Sequence, residues 1–496
     1  MSEQHYDVLI IGAGLSGIGA GYHLKTLCPG KSFGILEARS AIGGTWDLFR
    51  YPGIRSDSDM YTLGYAFKPW REGKAVADGP AILNYVKAAA RENNLEQKIR
   101  YNHRATRYSW SSREALWTVE TDNTATGARE RFTCNFLLNC SGYYRYDEGY
   151  TPEFKGREIF RGEIIHPQHW PDNLDYAGKR VVVIGSGATA VTLVPSMAKA
   201  AAHVTMLQRS PSYIVALPDV DPIAQTLNRL LPAKLAYRLM RLKNVFMQTL
   251  FYQLCRRYPA LVRKLLRNHL KSQLGPDFDI DSHFNPSYNP WDQRLCLVPN
   301  GDLFRSLRRG DASVVTDHID CFTETGIRLA SGRELAADII VTATGLDLVA
   351  LGGAELVVDG ESRALSETMS YKGMMLSDVP NLALVVGYTN ASWTLKADLT
   401  DQYVCRLINY MDQHGYNYCT PKADPAVQEA PFLDLDSGYV QRALDHLPKQ
   451  GDRAPWKLYQ NYLLDLLKLR YGPVTDRVMT FSRITGNPGT VENAPV

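Results

Sequence analysis

Two short apolar runs, each followed at once by glycines, are the clearest feature of the hydrophobic pattern along the chain. Residues 6–11 and residues 181–184 are too short to span a bilayer, and continuous apolar runs of this length are typical of buried parallel strands. Each run enters a glycine-rich turn that opens a helical pattern. This order of strand, turn and helix predicts an α/β fold with two Rossmann-like dinucleotide-binding domains.

The first turn has the glycine spacing of a dinucleotide-binding fingerprint. Gly12 permits a tight turn, Gly14 lets backbone N–H groups approach a pyrophosphate, and Gly17 lets the following helix pack close to the strand. A second apolar run, residues 32–37, ends in Glu37, where a carboxylate can accept hydrogen bonds from ribose hydroxyls. We therefore predict FAD at this turn, with an ordinary strand-turn-helix as the alternative.

The second turn differs in the residues that follow its next strand. The apolar run at residues 203–207 is followed by Arg209 and contains no acid in the ribose-binding position. An acid there would repel a 2′-phosphate, whereas an arginine holds one with a charge-assisted contact. We predict NADPH here, and a solvated surface arginine is the alternative. The predicted NADPH-binding residues are Gly185, Ser186, Gly187, Ala188, Thr189, Arg209 and Ser210.

A third pattern lies between the two turns, at residues 160–172. It places Phe160, Gly162, His166 and Trp170 at fixed spacing and ends in Pro-Asp. This pattern resembles the fingerprint of type I Baeyer-Villiger monooxygenases. Related flavin-containing monooxygenases usually close the run with an aromatic residue and a lysine, so the Trp-Pro ending favours the Baeyer-Villiger branch.

Longer runs extend the resemblance over almost the whole chain. The turn at residues 51–57, preceded by Gly-Gly-Thr-Trp at 43–46, matches a second motif of the family. The runs at 44–57 and 289–299 resemble its ethionamide-oxidising members. Such long runs are more specific than either short motif.

The resemblance implies an enzyme that uses FAD, NADPH and O2 to convert ketones to esters or lactones through a C4a-peroxyflavin. It also implies oxidation of sulfur in thioethers and thioamides. Two alternatives stay open: a flavin-containing N/S-oxygenase without Baeyer-Villiger activity, and a flavin-binding redox sensor or scaffold without turnover. The expected partners are a small ketone or thioether and O2, and the sequence does not set an oligomeric state.

The family pattern also nominates two catalytic residues. The reaction passes through anions, which require a positive charge that does not titrate, and the matching arginine is Arg294. Asp57 is expected to hold that guanidinium in place. The alternatives are a structural ion pair for Arg294, and for Asp57 the cap of a helix that begins near Ser58. The predicted FAD-binding residues are Gly12, Gly14, Ser16, Gly17, Glu37, Gly44, Thr45, Trp46, Asp57 and Gly387.

Two residues of the third pattern are assigned to domain movement instead of chemistry. By the resemblance, His166 and Trp170 lie on the link between the nucleotide domains and control its movement; for His166 a buried structural histidine is the alternative. Gln293 stands where many relatives carry a lysine that contacts the NADPH phosphate. The preference for NADPH therefore depends more heavily on Arg209 and Ser210.

Other cofactor chemistries find little support in the sequence. The eight cysteines include no C-x-x-C pair, which disfavours a flavin disulfide reductase, and none has zinc-ligand spacing. His166 and His169 are separated by Pro167 and lack a third ligand. We therefore predict no metal site.

The domains are expected to be discontinuous in sequence. Turns at Gly142 and Gly345 indicate where the chain crosses between two nucleotide-binding sheets. We predict that the FAD domain comprises residues 1–148 and 342–496, that the NADPH domain comprises residues 149–341, and that a helical insert occupies residues 218–288.

The insert breaks an otherwise ordinary composition of 45% hydrophobic and 22% charged residues. Residues 222–275 hold eleven Lys or Arg and no acid, leaving 44 basic against 52 acidic residues elsewhere. Leu231, Leu235, Leu239 and Leu242 have amphipathic helical spacing. For the role of this insert we favour a helical cap over the substrate entrance. Peripheral contact with an anionic membrane is the second choice. A basic face that attracts NADPH and a simple solvated face are the remaining alternatives.

Two further expectations concern location and partners. Acids, in place of a basic segment, precede the first strand, so no signal peptide is expected and the predicted location is cytoplasmic, with membrane association as a second possibility. Nucleic-acid binding is disfavoured because no known reader motif accompanies the basic stretch.

Overall fold

The computed structural model describes residues 4–484 and the backbone of residues 491–494. It is a mixed α/β protein in which two sheets form the centres of two nucleotide-binding units. The α-helices are Leu15–Leu27, Thr45–Leu48, Met60–Leu63, Gly79–Glu92, Ala188–Met197, Pro222–Leu230, Ala233–Arg257, Pro259–Leu274, Ile280–His283, Asp302–Arg309, Trp393–His414, Gly438–Gln441 and Tyr462–Asp465.

The first sheet is built around the strand Gln4–Ile11. This strand pairs in parallel with Phe33–Leu36 on one side and with Arg129–Asn139 on the other. Every residue of Phe33–Leu36 is buried, as expected for a strand with helices over both faces. The main path of this sheet runs in the order Glu361–Ser362, Glu355–Val358, His103–Ser111, Leu116–Asn123, Arg129–Asn139, Gln4–Ile11, Phe33–Leu36 and Ile99–Arg100.

The same sheet also takes in strands from the late part of the chain. Leu382–Leu384 pairs in parallel with the end of Arg129–Asn139. Ser370–Tyr371 and Met375–Leu376 extend this branch in antiparallel fashion. The long helix Trp393–His414 then packs against Leu15–Leu27, so the first nucleotide-binding unit uses both ends of the chain.

The second sheet is entirely parallel and has five strands. Their order is Ala312–Thr316, His203–Gln208, Arg180–Ile184, Ile339–Thr342 and Glu163–Ile165. The chain enters this sheet from the segment at residues 160–172 and leaves it after Thr342. The middle strand, Arg180–Ile184, is buried apart from its first residue and delivers the second glycine-rich turn.

The helical insert projects from the second unit. A parallel pair, Ile214–Leu217 with Cys296–Pro299, closes its base. Leu231 is the C-cap residue that follows the helix Pro222–Leu230. It is therefore separate from Leu235, Leu239 and Leu242, whose helix begins at Ala233. Among the helices of residues 4–484, none is long and apolar enough to cross a membrane.

Small antiparallel pairs complete the described structure. Ile319–Thr323, Gly326–Leu329 and Glu334–Ala336 form a three-stranded meander, and Glu429–Pro431 pairs with Lys449–Gly451. Tyr418–Pro421, Met479–Ile484 and Val491–Ala494 form a third antiparallel group.

Candidate functional site

The first glycine-rich turn has the close contacts that its spacing predicts. Gly12 has a φ of +101°, and a Cβ there would lie 2.6 Å from the carbonyl oxygen of Cys140. A Cβ on Gly17 would lie 1.8 Å from the carbonyl oxygen of Gly12. The lack of a side chain at Gly17 lets the helix begin close to the end of the strand. The free N–H groups at the start of the helix can then bind a pyrophosphate.

Glu37 occupies the ribose position beside this turn. The side chain is buried and accepts hydrogen bonds from the backbone N–H groups of Ala13, at 2.7 Å, and Arg39, at 2.9 Å. Burial raises the pKa of its carboxyl, and these two hydrogen bonds oppose the shift. Both contacts fix the carboxylate at the cavity wall, in the place where ribose hydroxyls are bound in this kind of fold.

The segment around Trp46 connects the two units. Gly44 has a φ of +56°, and a Cβ there would lie 3.2 Å from the Cα of Gly14. The hydroxyl groups of Thr45 and Tyr146 are 3.2 Å apart. Trp46 packs against the hydrophobic cores of both sheets. This segment therefore forms the part of the cavity wall that the two units share.

The turn that follows contacts the second unit directly. A Cβ on Gly53 would lie 1.9 Å from the hydroxyl of Ser196, on the helix Ala188–Met197. Tyr51 is buried, and its hydroxyl is hydrogen-bonded to Thr189. The residues just before Asp57 are thus held against the helix that opens at the second glycine-rich turn.

The second turn is more open than the first. Gly185 has a φ of +140°, and a Cβ there would lie 2.3 Å from the carbonyl oxygen of Ala343. Gly187 has no atom of the described chain within 4 Å of its Cβ position. Ser186 donates a hydrogen bond from its hydroxyl to the carbonyl of Ser210 at 3.0 Å. This open face lies at the start of a helix, as phosphate binding requires.

Arg209 lies beside this turn with an exposed side chain that lines the cavity. Within residues 4–484 it makes no ion pair at 4.0 Å or less. Its guanidinium is therefore available to an anionic ligand. Ser210 is exposed beside it and lines the same cavity.

One continuous cavity of about 1270 Å³ is lined by both turns. Pockets for drug-sized ligands usually have volumes of roughly 300–1,000 Å³, so this cavity is large for a single small molecule. Because both glycine-rich turns line it, each turn can hold a dinucleotide within the same cavity. The tight glycine contacts, the fixed Glu37 carboxylate and the free Arg209 guanidinium all fit such ligands.

Arg294 lies in the cavity wall among tyrosines. Burial by itself lowers the pKa of its guanidinium, but the phenols of Tyr143, Tyr439 and Tyr144 and the carboxylate of Asp57 outweigh burial and raise it above its usual range. The side chain therefore stays positively charged at any physiological pH. Its Nε is buried and has no hydrogen-bond partner in the described part of the chain.

Asp57 faces the same cavity, but Arg294 is not within ion-pair distance of it. Among the described residues, Asp57 makes no ion pair at 4.0 Å or less, whereas Arg55 pairs with Asp302 at 2.6 Å. Asp57 is exposed to the cavity, where the surrounding protein partly removes water from its carboxyl and raises the pKa, and the charges of Arg294 and Arg55 oppose that rise. The two nominated groups therefore interact at a distance greater than that of an ion pair, and the structure does not place Asp57 in contact with the guanidinium it was expected to hold.

The capping alternative for Asp57 is wrong, because the neighbouring acid performs that function. Asp59 precedes the helix Met60–Leu63 and accepts hydrogen bonds from the backbone N–H groups of Tyr61 and Thr62. This leaves the Asp57 carboxylate directed at the cavity.

His166 lies between the two segments, near Gly149 and Gly345, where the chain crosses from one sheet to the other. Its Nε2 is 3.2 Å from the carbonyl oxygen of Gly345, and a Cβ on Gly149 would overlap its ring. Its Nδ1 accepts a hydrogen bond from the backbone N–H of Gln168, so the ring is neutral with its proton on Nε2. Burial lowers the pKa of His166. Neither His166 nor Trp170 lines the cavity, a position that suits a role in the linker.

A narrow apolar pocket opens beside Arg294. Its lining combines Arg294 with the ring of Trp393 and with aliphatic residues from 348–351, 384–387 and 432–448. A Cβ on Gly387 would lie 2.5 Å from the Trp393 ring, so only glycine lets the tryptophan take this position. The indole Nε1 of Trp393 donates a hydrogen bond to the hydroxyl of Ser16 at 2.7 Å, which ties the pocket to the first turn.

Three tyrosines of this site, Tyr143, Tyr144 and Tyr439, were not predicted from the sequence. Tyr143 stacks on Trp393 with ring centroids 5.2 Å apart, and its hydroxyl is 3.1 Å from that of Tyr144. Burial raises the pKa of Tyr439 to about 12, and the Arg294 charge opposes the rise. The chain contains 28 tyrosines, and no local motif distinguishes these three from the others.

The cysteines and possible metal ligands add no further chemistry within residues 4–484. All eight cysteines are free and buried. No group of three or more His, Cys, Asp or Glu side chains in this part of the protein is arranged to hold a metal ion.

Comparison with known proteins now adds to this geometry. A model of the flavin-binding monooxygenase-like family matches residues 76–349, more than half of the chain. An NAD(P)-binding Rossmann-like domain model matches residues 10–72. The chain belongs to the flavin-binding monooxygenase-like family. The predicted family resemblance and the predicted enzyme class, a flavin-dependent monooxygenase, are thereby confirmed.

One relative in this family is similar over nearly the full length. The FAD-containing monooxygenase EthA of Mycolicibacterium smegmatis is 55% identical over 482 residues, which cover 97% of this chain and 98% of EthA. The two chains therefore match over almost their whole lengths.

Solved structures confirm the fold class of this flavin-binding monooxygenase-like chain. A steroid monooxygenase bound to NADP superposes with a TM-score of 0.71 at 24% identity, covering 85% of this chain and 88% of that one. A cyclohexanone monooxygenase in an open form gives a TM-score of 0.71 at 21% identity, covering 84% and 90%. At this identity the likeness establishes the shared two-domain fold alone.

Proposed function

We propose that the protein is an FAD- and NADPH-dependent Baeyer-Villiger monooxygenase that converts ketones to esters or lactones. The overall reaction consumes one ketone, O2, NADPH and a proton, and yields the ester, NADP⁺ and water. The observation that carries this proposal is the position of Arg294. A permanent positive charge with a free Nε lies where the dinucleotide cavity meets an apolar pocket.

The chain would supply charge, shape and exclusion of water to this reaction. FAD, when bound, would provide the activation of O2. The Arg294 guanidinium stabilises negative charge on the carbonyl oxygen of the substrate as oxygen adds to it, an interaction that is strong in a pocket with few polar groups. Tyr143 and Trp393 close one side of that pocket with stacked rings.

Asp57 completes the electrostatic arrangement. A carboxylate that faces Arg294 across the cavity favours the charged guanidinium without neutralising it by direct contact. We infer that Asp57 acts on the guanidinium through its charge, without a direct ion pair.

We also propose a second activity, the oxidation of sulfur. The same apolar pocket admits a thioether or thioamide, whose sulfur takes an oxygen atom without any carbonyl anion to stabilise. Arg294 is therefore required for ester formation and dispensable for sulfur oxidation.

Product analysis across a panel of linear and cyclic ketones, with one thioether, tests the proposal. We expect esters or lactones from ketones and sulfoxide from the thioether, each with NADPH consumption that requires O2. Sulfoxide without ester would favour a heteroatom oxygenase instead. NADPH consumption that does not rise with any ketone would contradict the proposal.

The choice of NADPH over NADH is tested at Arg209. In Arg209→Gln we expect kcat/KM for NADPH to fall roughly 10- to 100-fold, because a charge-assisted contact with phosphate contributes about 1.5–3 kcal/mol. The value for NADH, which lacks the 2′-phosphate, should change by less than about threefold. Steady-state rates with both cofactors give the comparison.

Arg113→Gln is the matched control for this substitution, since Arg113 is exposed on the first unit and away from the cavity. Its ratio of NADPH to NADH efficiency should equal that of the unsubstituted protein. An unchanged ratio in Arg209→Gln would remove Arg209 from cofactor selection.

A further inference from the structure

The longest helix of the insert presents apolar side chains to solvent. On Ala233–Arg257 the exposed face recurs every three to four residues, the period of one helix side. Leu242 is 61% exposed and Phe246 is 57% exposed. The exposed apolar side chains of this helix are Leu235, Leu239, Leu242, Phe246, Met247, Leu250, Phe251 and Leu254. A contiguous apolar surface of this kind marks an interaction site.

The opposite side of the same helix is firmly attached to the first unit. Tyr237 is buried and donates a hydrogen bond from its hydroxyl to the carbonyl of Tyr65 at 3.1 Å. Arg241 donates to the carbonyl of Gly64 at 2.7 Å and pairs with Asp398 at 3.3 Å. These contacts fix the orientation of the helix. Its apolar outer side therefore cannot turn towards the hydrophobic core of the first unit.

Neighbouring segments enlarge this outer surface. On the helix Pro259–Leu274, Leu261 and Leu265 are more than half exposed and lie one turn apart. Near the end of the chain, Tyr462 packs against the group that contains Val245 of the long helix. The exposed apolar residues that follow it are Leu463, Leu464, Leu467 and Tyr471. We refer to these exposed residues of 235–265 and 463–471 together as the outer apolar face.

Positive charge accompanies the outer apolar face. Of the eleven basic residues in 222–275, four form ion pairs with acids and Arg263 donates to the carbonyl of Tyr288. The other six are exposed and make no ion pair within the described residues: Arg229, Lys234, Arg238, Arg257, Lys264 and Lys271. No acid occurs between residues 222 and 275 to offset them.

We propose that the outer apolar face docks on an anionic lipid bilayer. Leucine and phenylalanine side chains would enter the acyl boundary, while the six free basic residues contact lipid phosphates. A second copy of the chain is a poorer occupant. In a two-fold dimer the same patch lies on both subunits, so these unpaired positive charges would be brought together.

The docking surface lies one layer above the apolar pocket. Val245 packs against Tyr388 and Leu395, and Tyr388 also lines the pocket beside Arg294. If the proposed function holds, docking places the pocket close to the acyl region, and the substrates are lipophilic ketones dissolved in the bilayer. This consequence rests on the proposed function, whereas the docking itself does not.

Co-sedimentation of the full-length, FAD-loaded protein with vesicles tests the docking without any turnover. We expect binding to vesicles of phosphatidylglycerol and phosphatidylcholine at low salt and much weaker binding to phosphatidylcholine alone. The triple variant Leu239→Gln, Leu242→Gln, Phe246→Gln should bind at least tenfold more weakly. The pair Lys264→Glu, Lys271→Glu should bind more weakly to anionic vesicles only.

Matched controls separate docking from general surface effects. Ile159→Gln removes an exposed apolar side chain outside the outer apolar face, and Arg113→Glu reverses an exposed charge on the first unit; both should bind like the unsubstituted protein. Unchanged FAD content and circular dichroism establish that each variant is folded.

Two results would overturn the docking proposal. One is absence of binding to anionic vesicles at low salt by the unsubstituted protein. The other is a triple variant that binds vesicles as tightly as the unsubstituted protein does. If vesicle binding is absent and the triple variant is a monomer by light scattering where the unsubstituted protein is an oligomer, the face belongs to an interface with a second copy. Failure of ketone oxidation with intact vesicle binding would instead reject only the proposed function.

Discussion

Replacing Arg294 by alanine should abolish ester formation while NADPH still reduces the bound flavin. The guanidinium is the permanent charge beside the apolar pocket, and removal of one such group from an active site lowers the rate by roughly 10²- to 10³-fold. Ester formation followed by gas chromatography should therefore fall at least about 100-fold. Anaerobic bleaching of the flavin absorbance by NADPH should change by less than about threefold.

A second variant, Arg294→Lys, refines this prediction. Arg294→Lys keeps a positive charge but loses the planar fork, so we expect intermediate ester formation that declines at high pH as the amine titrates. The unsubstituted protein should show no such decline from this group, because the pKa of Arg294 lies above its usual range. Sulfoxide formation should survive in both variants. Ester formation by Arg294→Ala near the unsubstituted rate would contradict the assigned role.

Gly17→Ala should weaken FAD binding. Its Cβ would lie 1.8 Å from the carbonyl oxygen of Gly12, so the helix Leu15–Leu27 must move away from the strand end. Overpacking of this kind costs about 1–3 kcal/mol, and the displaced helix also loses its position over the pyrophosphate. We expect FAD affinity to fall by at least about tenfold, measured as flavin fluorescence released on dilution.

Gly30→Ala is the matched control for the glycine substitution. The Cβ position of Gly30 has no described atom within 4 Å, and the residue lies just after the same helix. FAD affinity should be unchanged there. Equal loss in both variants would mean that the helix as a whole, and not its close approach to the strand, governs binding.

Features set by neighbours in the sequence were predictable. The glycine spacing of 12–17, the acid at Glu37 and the strand around residues 32–37 are local signals, and each depends only on backbone geometry and short-range packing. The observed strand Phe33–Leu36 lies inside the predicted run. For the same reason the α/β fold class could be predicted and is confirmed.

Contacts between residues that are far apart in the sequence were not predictable. Tyr143 and Tyr439 meet at Arg294 only because three separate segments converge on one cavity wall. The choice between Asp57 and Asp59 as the helix cap depends on where the helix begins, and the repeated Ser-Asp sequence suits both positions. Similarly, the periodicity of Leu235, Leu239 and Leu242 predicts a helix but not whether its apolar side is covered.

The contact at Gly53 has a consequence for how the two nucleotide-binding sheets are spaced. Ser196 occupies the volume that any side chain at position 53 would need, so the first unit and the helix Ala188–Met197 meet at backbone distance. A larger residue at position 53 would push the helix away, and the two glycine-rich turns would then hold their cofactors further apart. Reduction of FAD by NADPH would slow as that separation grows, so the absence of a side chain at Gly53 would help to set the rate of reduction.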